Sequence, residues 1–226
     1  MDELMPVVDR IKDWNASVIL VSSVITTILF IISRIIYPDF YKMVTYRMFV
    51  ENFSGRQVTK PTEISSIEAL STIIALIAIS TMIFSFICYS GVTTIKLAYG
   101  SELKTILIIL LSFSAYNFSR GLINLYSGKL FKLDKYAAIY NTMILDTERV
   151  LSLIFVPISA FCPFVSPAIA NILIWIAVGA GISLMIFQYV TIFFHLLKNK
   201  FLNHHSFLYF CALEVLPPLA VIKIMF

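Results

Sequence analysis

Several ionisable and amide side chains lie inside stretches that are otherwise apolar: Glu214, Arg149, Asp146, Glu148, Arg120, Asn117, Asn124 and Gln188. A charge at membrane depth costs about 2.5–3.5 kcal/mol or more, so such groups face protein or water and are functional candidates by default. Three behaviours suit these residue types. Glu214 or Asp146 can take up and release a proton. The group as a whole can bind a polar substrate. Alternatively, the charges pair with one another and only fix the register of packed helices. The natural pairs are Arg149 with Glu214, and Arg120 with Asp146 or Glu148. Pro217 and Pro218 follow Glu214 within a turn. Neither donates to a helix ladder, so the carbonyls of Leu213 and Glu214 are freed and a kink is expected. Broken helices of this kind line transport and binding sites.

Elements must hold these groups, and composition says which kind. Hydrophobic residues make up 59% of the 226, charged residues 13%, and the net charge is +4. Mean hydropathy is +0.90. A soluble domain is nearer half apolar and a quarter charged, so the chain reads as an all-α, polytopic membrane bundle in one domain. No basic run with interleaved aromatics is present, which argues against nucleic acid as a partner.

Six spans are expected, at about 17–37, 69–89, 103–126, 136–161, 167–197 and 206–225, each near the 20 apolar residues that cross a bilayer. The acidic N-terminus and the lack of a small-residue cleavage site make the first an uncleaved span rather than a signal peptide. Between the first two spans, 39–53 repeats Phe40, Val44 and Met48 every fourth residue, widened by Tyr41, Phe49 and Phe53. Lys42, Arg47 and Glu51 lie off that stripe. This pattern predicts a basic amphipathic helix in the membrane interface, or a short helix packed under the bundle. Ser65 and Glu68 form a capping box ahead of the second span.

In the third span Asn117, Arg120 and Asn124 share one face. The fourth is ambiguous, because Asp146, Glu148 and Arg149 interrupt it. The alternative is a cytoplasmic helix to about 149 with solvated charges, followed by a short or re-entrant apolar piece. Ser166-Pro167 is a start signal for the fifth span, in which Ala177, Gly179, Ala180, Gly181 and Ser183 offer a small-residue patch for close packing.

Arg34, Lys42, Arg47, Arg56, Lys60, Arg120, Lys129, Lys132, Lys135, Lys198 and Lys200 fall on one side of the six spans, and Arg10, Lys12, Lys96, Lys104 and Lys223 on the other. The positive-inside rule then puts both termini outside the cytoplasm. With about 1.5 Å of rise per residue, Glu214, Arg149, Asp146, Glu148, Arg120 and Gln188 reach a similar depth in the inner half of the membrane.

Cys88, Cys162 and Cys211 match no metal spacing. A disulfide between Cys88 and Cys162 is allowed by the topology, and apolar packing is the plainer reading. His195, His204 and His205 lack a carboxylate or cysteine at ligand spacing, and Lys198 and Lys200 oppose a cation beside them, so no metal or cofactor is assigned. Common hydrolase, metalloprotease, nucleotide and dinucleotide motifs are absent.

The stretch FLYFCALEVLPPLAVIK resembles the end of an uncharacterised family of bacterial multi-pass membrane proteins typical of Bacteroidota, a domain of unknown function that closes on a pattern like FLYxCALExLPxxxxxK. The likeness is carried by Phe207, Leu208, Tyr209, Cys211, Ala212, Leu213, Glu214, Leu216, Pro217 and Lys223. Phe210 and Pro218 stand where that pattern has aliphatic residues. The segment YPDFYKMVTYRMF also looks like the family's. The resemblance implies a bacterial inner-membrane location and no activity.

Two functional classes follow. The first is a structural or assembly subunit that partners another envelope protein, favoured by short polar loops and a packing-rich fifth helix. The second is a small transporter or proton-coupled carrier using Glu214, Arg149 and Asp146. A membrane enzyme on lipid-linked substrates is a third. Beyond the lipid bilayer and that envelope partner, the sequence sets no oligomeric state.

Overall fold

A chain this apolar must close its backbone hydrogen bonds within each segment, because hydrocarbon offers no water to complete them. The computed structural model describes residues 14–51, 66–89, 102–130 and 134–198, and these are helical apart from short connections. They form α1 (Trp14–Ile36), α2 (Phe40–Tyr46) running into a π-helical turn (Arg47–Glu51), α3 (Ser66–Tyr89), α4 (Glu102–Leu130), α5 (Asp134–Phe161), a 3-10 turn (Cys162–Phe164) and α6 (Pro167–Lys198). Among them Ser17–Ile36, Ser66–Tyr89, Leu103–Tyr126 and Pro167–Thr191 are long and apolar enough to cross a bilayer. Glu214, Pro217, Pro218, Cys211, His204 and His205 lie outside the described residues.

The bundle is arranged around α5, which packs against α1, α2, α3, α4 and α6. The charged helix is thus the central one. Asp146, Glu148 and Arg149 are buried, at 1%, 7% and 4% exposure. The helix runs unbroken for 28 residues through them. The three charges are thus buried among neighbouring helices and not solvated. The physical reason is that neighbouring helices supply partners for the charges, so composition alone misjudges the segment. Pro157 sits within α5 and leaves the Leu153 carbonyl without its ladder donor.

The outer helices turn apolar faces outward and small or hydroxylated ones inward. On α1, Ile28, Ile31 and Ile35 are exposed while Ser23, Thr26 and Ser33 are buried. Hydroxyls of Ser23 and Thr26 bond back to the carbonyls of Ile19 and Ser22 at 2.6 Å, which satisfies them locally. Ser22 meets Thr81 of α3 at 3.1 Å. On α6, Ala170, Ile174 and Ala177 pack into a core with Leu151, Phe155 and Val156 of α5 and Ala78, Ile79 and Met82 of α3. The small-residue patch of α6 divides between two faces. Gly181 lies against Phe155 and Leu151, where an added Cβ would come within 3.4 and 3.6 Å of them. Gly179 and Ser183 face outward.

The helix α2 and the turn after it place Phe40, Tyr41, Val44 and Met48 in a second core with Ile67 of α3 and Val150 of α5, flanked by Leu184 and Phe187 of α6. The Phe40, Val44 and Met48 stripe is therefore covered by protein, while Phe49 at its edge stays 41% exposed. Asp39 and Lys42 remain exposed and pair at 3.5 Å. The fold start at Pro167 follows its sequence signal: the Ile169 N–H donates to Ser166 Oγ at 3.4 Å. Cys88 and Cys162 form no disulfide.

Candidate functional site: a buried ionic turn

One turn of α5 carries the site. Asp146 and Arg149 are three residues apart and share a face, while Glu148 points away from them. The three charges are thereby divided between two sides of the helix. On the first side Arg47 binds Asp146 through Nε to Oδ2 at 2.5 Å and Nη2 to Oδ1 at 2.7 Å. Arg149 Nη1 reaches the same Oδ1 at 2.9 Å. Arg149 Nη2 donates to the Glu68 carbonyl and to Thr72 Oγ1, both at 3.2 Å. The Arg149 guanidinium also lies 5.8 Å from the centre of the Phe40 ring.

On the second side Arg120 Nη2 donates to Glu148 Oε1 at 3.1 Å, and Asn117 Nδ2 to Oε2 at 3.2 Å. Their spacing on α4 puts both on the face that meets α5. Arg120 also lies over the Tyr116 ring at 5.4 Å. A turn further along, Asn124 Nδ2 donates to Asn141 Oδ1 of α5 at 3.0 Å. Gln188 stands apart from this network. It lines a small indentation between the π-helical turn, α5 and α6 with Met48, Met143, Thr147, Phe187 and Thr191.

The structure therefore brings Asp146, Glu148, Arg149, Arg120 and Asn117 into one ionic turn, puts Asn124 beside it, and leaves Gln188 at its edge. Arg120 takes Glu148 as its partner, and Asp146 is held by Arg47 and Arg149. The pairing of Arg149 with Glu214 falls outside the described residues. Sequence reasoning placed Arg47 on the polar rim of the α2 helix, and Thr72, Asn141 and the Glu68 carbonyl went unmarked. Arg47 instead opens the π-helical turn, a widened turn of the kind that re-aims side chains at functional places. One sequence signal pointed to it. Asp146, Glu148 and Glu214 outnumber Arg120 and Arg149 within the apolar stretches, so a further cation was needed.

Chemically, the described site is buried and its carboxylates are engaged. Asp146 is 1% exposed, and the side chains of Arg47 and Arg120 only 13% and 14%. Within this cluster Arg149 Nε and Asn117 Oδ1 are buried without a hydrogen-bond partner among the described residues. Among the described residues no group of three His, Cys, Asp or Glu side chains is placed to hold a metal ion.

A family model described as Domain of unknown function (DUF4271) matches residues 18–225. No curated protein and no solved structure matches the chain.

Proposed function

Because the chain belongs to that family, whose description names no activity, we propose from its own geometry that it is a membrane-embedded structural or assembly subunit that partners another envelope protein. The observation that carries this reading is the engagement of the central charges. Asp146 and Glu148 are buried and already bonded by Arg47, Arg149, Arg120 and Asn117. Carboxylates held in this way clamp helices together. The faces left over for a partner are the apolar outer sides of α1, α4 and α6, where Ile28, Leu111, Phe118, Trp175 and Ile186 are exposed. Apolar surface of this extent suits lipid and the helices of another membrane protein.

The finer reading has six crossings, with 206–225 as the last, in the inner membrane of a bacterium and with both termini outside the cytoplasm. The bias of Lys and Arg among the connections supports that orientation. On this reading α2 lies at the cytoplasmic border, with Asp39 and Lys42 toward water.

A second reading, a small carrier, is favoured by the unpartnered Arg149 Nε, since a buried donor without an acceptor invites an anionic guest. Gentle-detergent purification of the tagged native protein, with stoichiometry of what co-purifies, separates the two. A partner at fixed ratio that cross-links to the outer faces of α1, α4 or α6 supports the subunit. A lone monomer or homodimer whose Glu214→Gln variant loses proton flux in vesicles overturns it in favour of the carrier.

A further inference from the structure

The helices of the bundle are of two lengths. α1 and α3 have 23 and 24 residues, whereas α4, α5 and α6 have 29, 28 and 32. The excess lies at one end. Ile67, at the start of α3, packs under α2, the helix that follows α1. Ser22 meets Thr81, and about 21 Å of α1 follows Ser22 while about 22 Å of α3 precedes Thr81. The end of α1 and the start of α3 are therefore level. The ionic turn stands at the same level, because Arg149 Nη2 donates to the Glu68 carbonyl in the first turn of α3 and Val150 shares a core with Ile67.

Register across the turn then divides the long helices. Arg120 meets Glu148, and Gln188 lies beside Thr147. On the side of the α5–α6 junction, α3 from Glu68 onward, α4 from Arg120 back to Glu102, and α6 from Gln188 back to Pro167 measure about 31, 27 and 31 Å. The hydrocarbon of a bilayer is about 30 Å thick. On the other side α4 runs on for about 15 Å to Leu130, α6 runs on for about 15 Å to Lys198, and α5 starts about 18 Å before Asp146. A bilayer fitted to the first set of lengths ends at the ionic turn. Arg47 and Arg120 are then held at the polar border and not at mid-depth, where charge costs most.

Beyond the turn the three helices keep contacts of their own. Asn124 donates to Asn141, and Tyr140, Met143 and Ile144 are buried. Their outer surface is nevertheless apolar: Leu122, Leu125 and Tyr126 of α4 and Val190 and Phe194 of α6 are 41–68% exposed. Outside the hydrocarbon no lipid chains cover them, and clustered apolar surface in water marks a protein contact. Charge at this end gives the chemistry of what docks. Arg34, Lys42 and Lys129 are exposed there, against Asp39 as the exposed carboxylate among the described residues of that end.

We propose that α4, α5 and α6 stand clear of the bilayer beyond the ionic turn, and that the apolar surface of α4 and α6 there docks an amphipathic helix with an acidic polar side from a partner protein. The docking rests on the subunit reading; the projection does not.

The test reconstitutes the full chain alone in liposomes, with a membrane-impermeant maleimide on both sides and labelling read by peptide mass spectrometry. Leu125→Cys and Phe194→Cys are expected to react, and Leu111→Cys and Ile176→Cys to stay unlabelled. Silence at the first pair, or reaction at all four, overturns the projection. In native membranes Leu125→Cys and Phe194→Cys should lose most of that labelling. A photo-crosslinker at either position should then reach an acidic helical segment of a protein that co-purifies at a fixed ratio. Lys129→Glu should reduce the partner retained at low salt and leave the amount at high salt unchanged. Undiminished labelling in native membranes, or cross-links that fall within 199–226 of the same chain, overturn the docking and leave the projection standing. A fixed-ratio partner that links only at Leu111 or Ile176 overturns the docking while keeping the subunit reading.

Discussion

Arg47 binds both carboxylate oxygens of Asp146, a residue 99 positions further along the chain, at 2.5 and 2.7 Å. A guanidinium fork on a carboxylate is directional as well as strong. It fixes the turn after α2 against the middle of α5, and it does so where Asp146 also holds Arg149. One carboxylate therefore compensates two guanidiniums.

Asp146→Asn is accordingly expected to be the most damaging single change among the described charges. It leaves Arg47 and Arg149 facing a neutral amide, at a cost of about 3–5 kcal/mol. The check is the yield of monodisperse protein and its unfolding midpoint. Arg47→Lys should fall between wild type and Asp146→Asn, because an ammonium cannot make both bonds. Wild-type stability for Asp146→Asn would show that the turn is not held by its ions.

The pair of Arg120 and Glu148 is expected to behave as a separable unit on the other side of α5. A double-mutant cycle with Arg120→Gln and Glu148→Gln should give a coupling of about 1–2 kcal/mol. Crossing Arg120→Gln with Asp146→Asn should give less, since those side chains do not touch. Equal coupling in both cycles would mean one continuous network instead of two.

The two glycines of the α6 patch, Gly181 facing inward and Gly179 outward, should respond differently. Gly181→Leu drives a side chain into Phe155 and Leu151 and should destabilise the bundle by about 1–3 kcal/mol. At Gly179 an added Cβ meets no atom within 4 Å, so Gly179→Leu should not destabilise the bundle. If Gly179→Leu keeps the fold yet loses a co-purifying partner, that face is the docking surface.

Cys162 closes the junction between α5 and α6 and is 0% exposed. Burial pushes its thiol up to about 11, so the reactive thiolate is scarce at neutral pH. It should resist alkylation at pH 8 in the folded protein and react once unfolded. The sign for stability follows: the unfolded thiol ionises first, so this contribution is lost as pH rises toward 11. Rapid labelling of the native protein would contradict the packing described for the turn.

Much of the helical architecture could be read from hydropathy, and so could the inward face of α4, because Asn117, Arg120 and Asn124 repeat at helical spacing. The apolar stripe of α2 was equally plain. What covers that stripe was not, since lipid and protein look alike to a periodicity argument. The position of α5 was hidden for the opposite reason. Its charges lower its apparent fitness for the bundle core, and only the arginines supplied from elsewhere in the fold restore it. Arg47 was missed because it sits where a regular helix would turn it outward, whereas the chain widens into a π-helical turn there.

That α5 is both the most surrounded helix and the most charged one constrains the order of its own biogenesis. Alone in hydrocarbon, Asp146, Glu148 and Arg149 would each cost about 2.5–3.5 kcal/mol at mid-helix, a poor substrate for the insertion machinery. α4 precedes it by a short connection and carries the guanidinium that neutralises Glu148. The turn after α2 carries the one that neutralises Asp146, and both are synthesised first. The compensating cations thus precede in the chain the segment that needs them, so an α5 inserted into the bilayer would meet partners already in place.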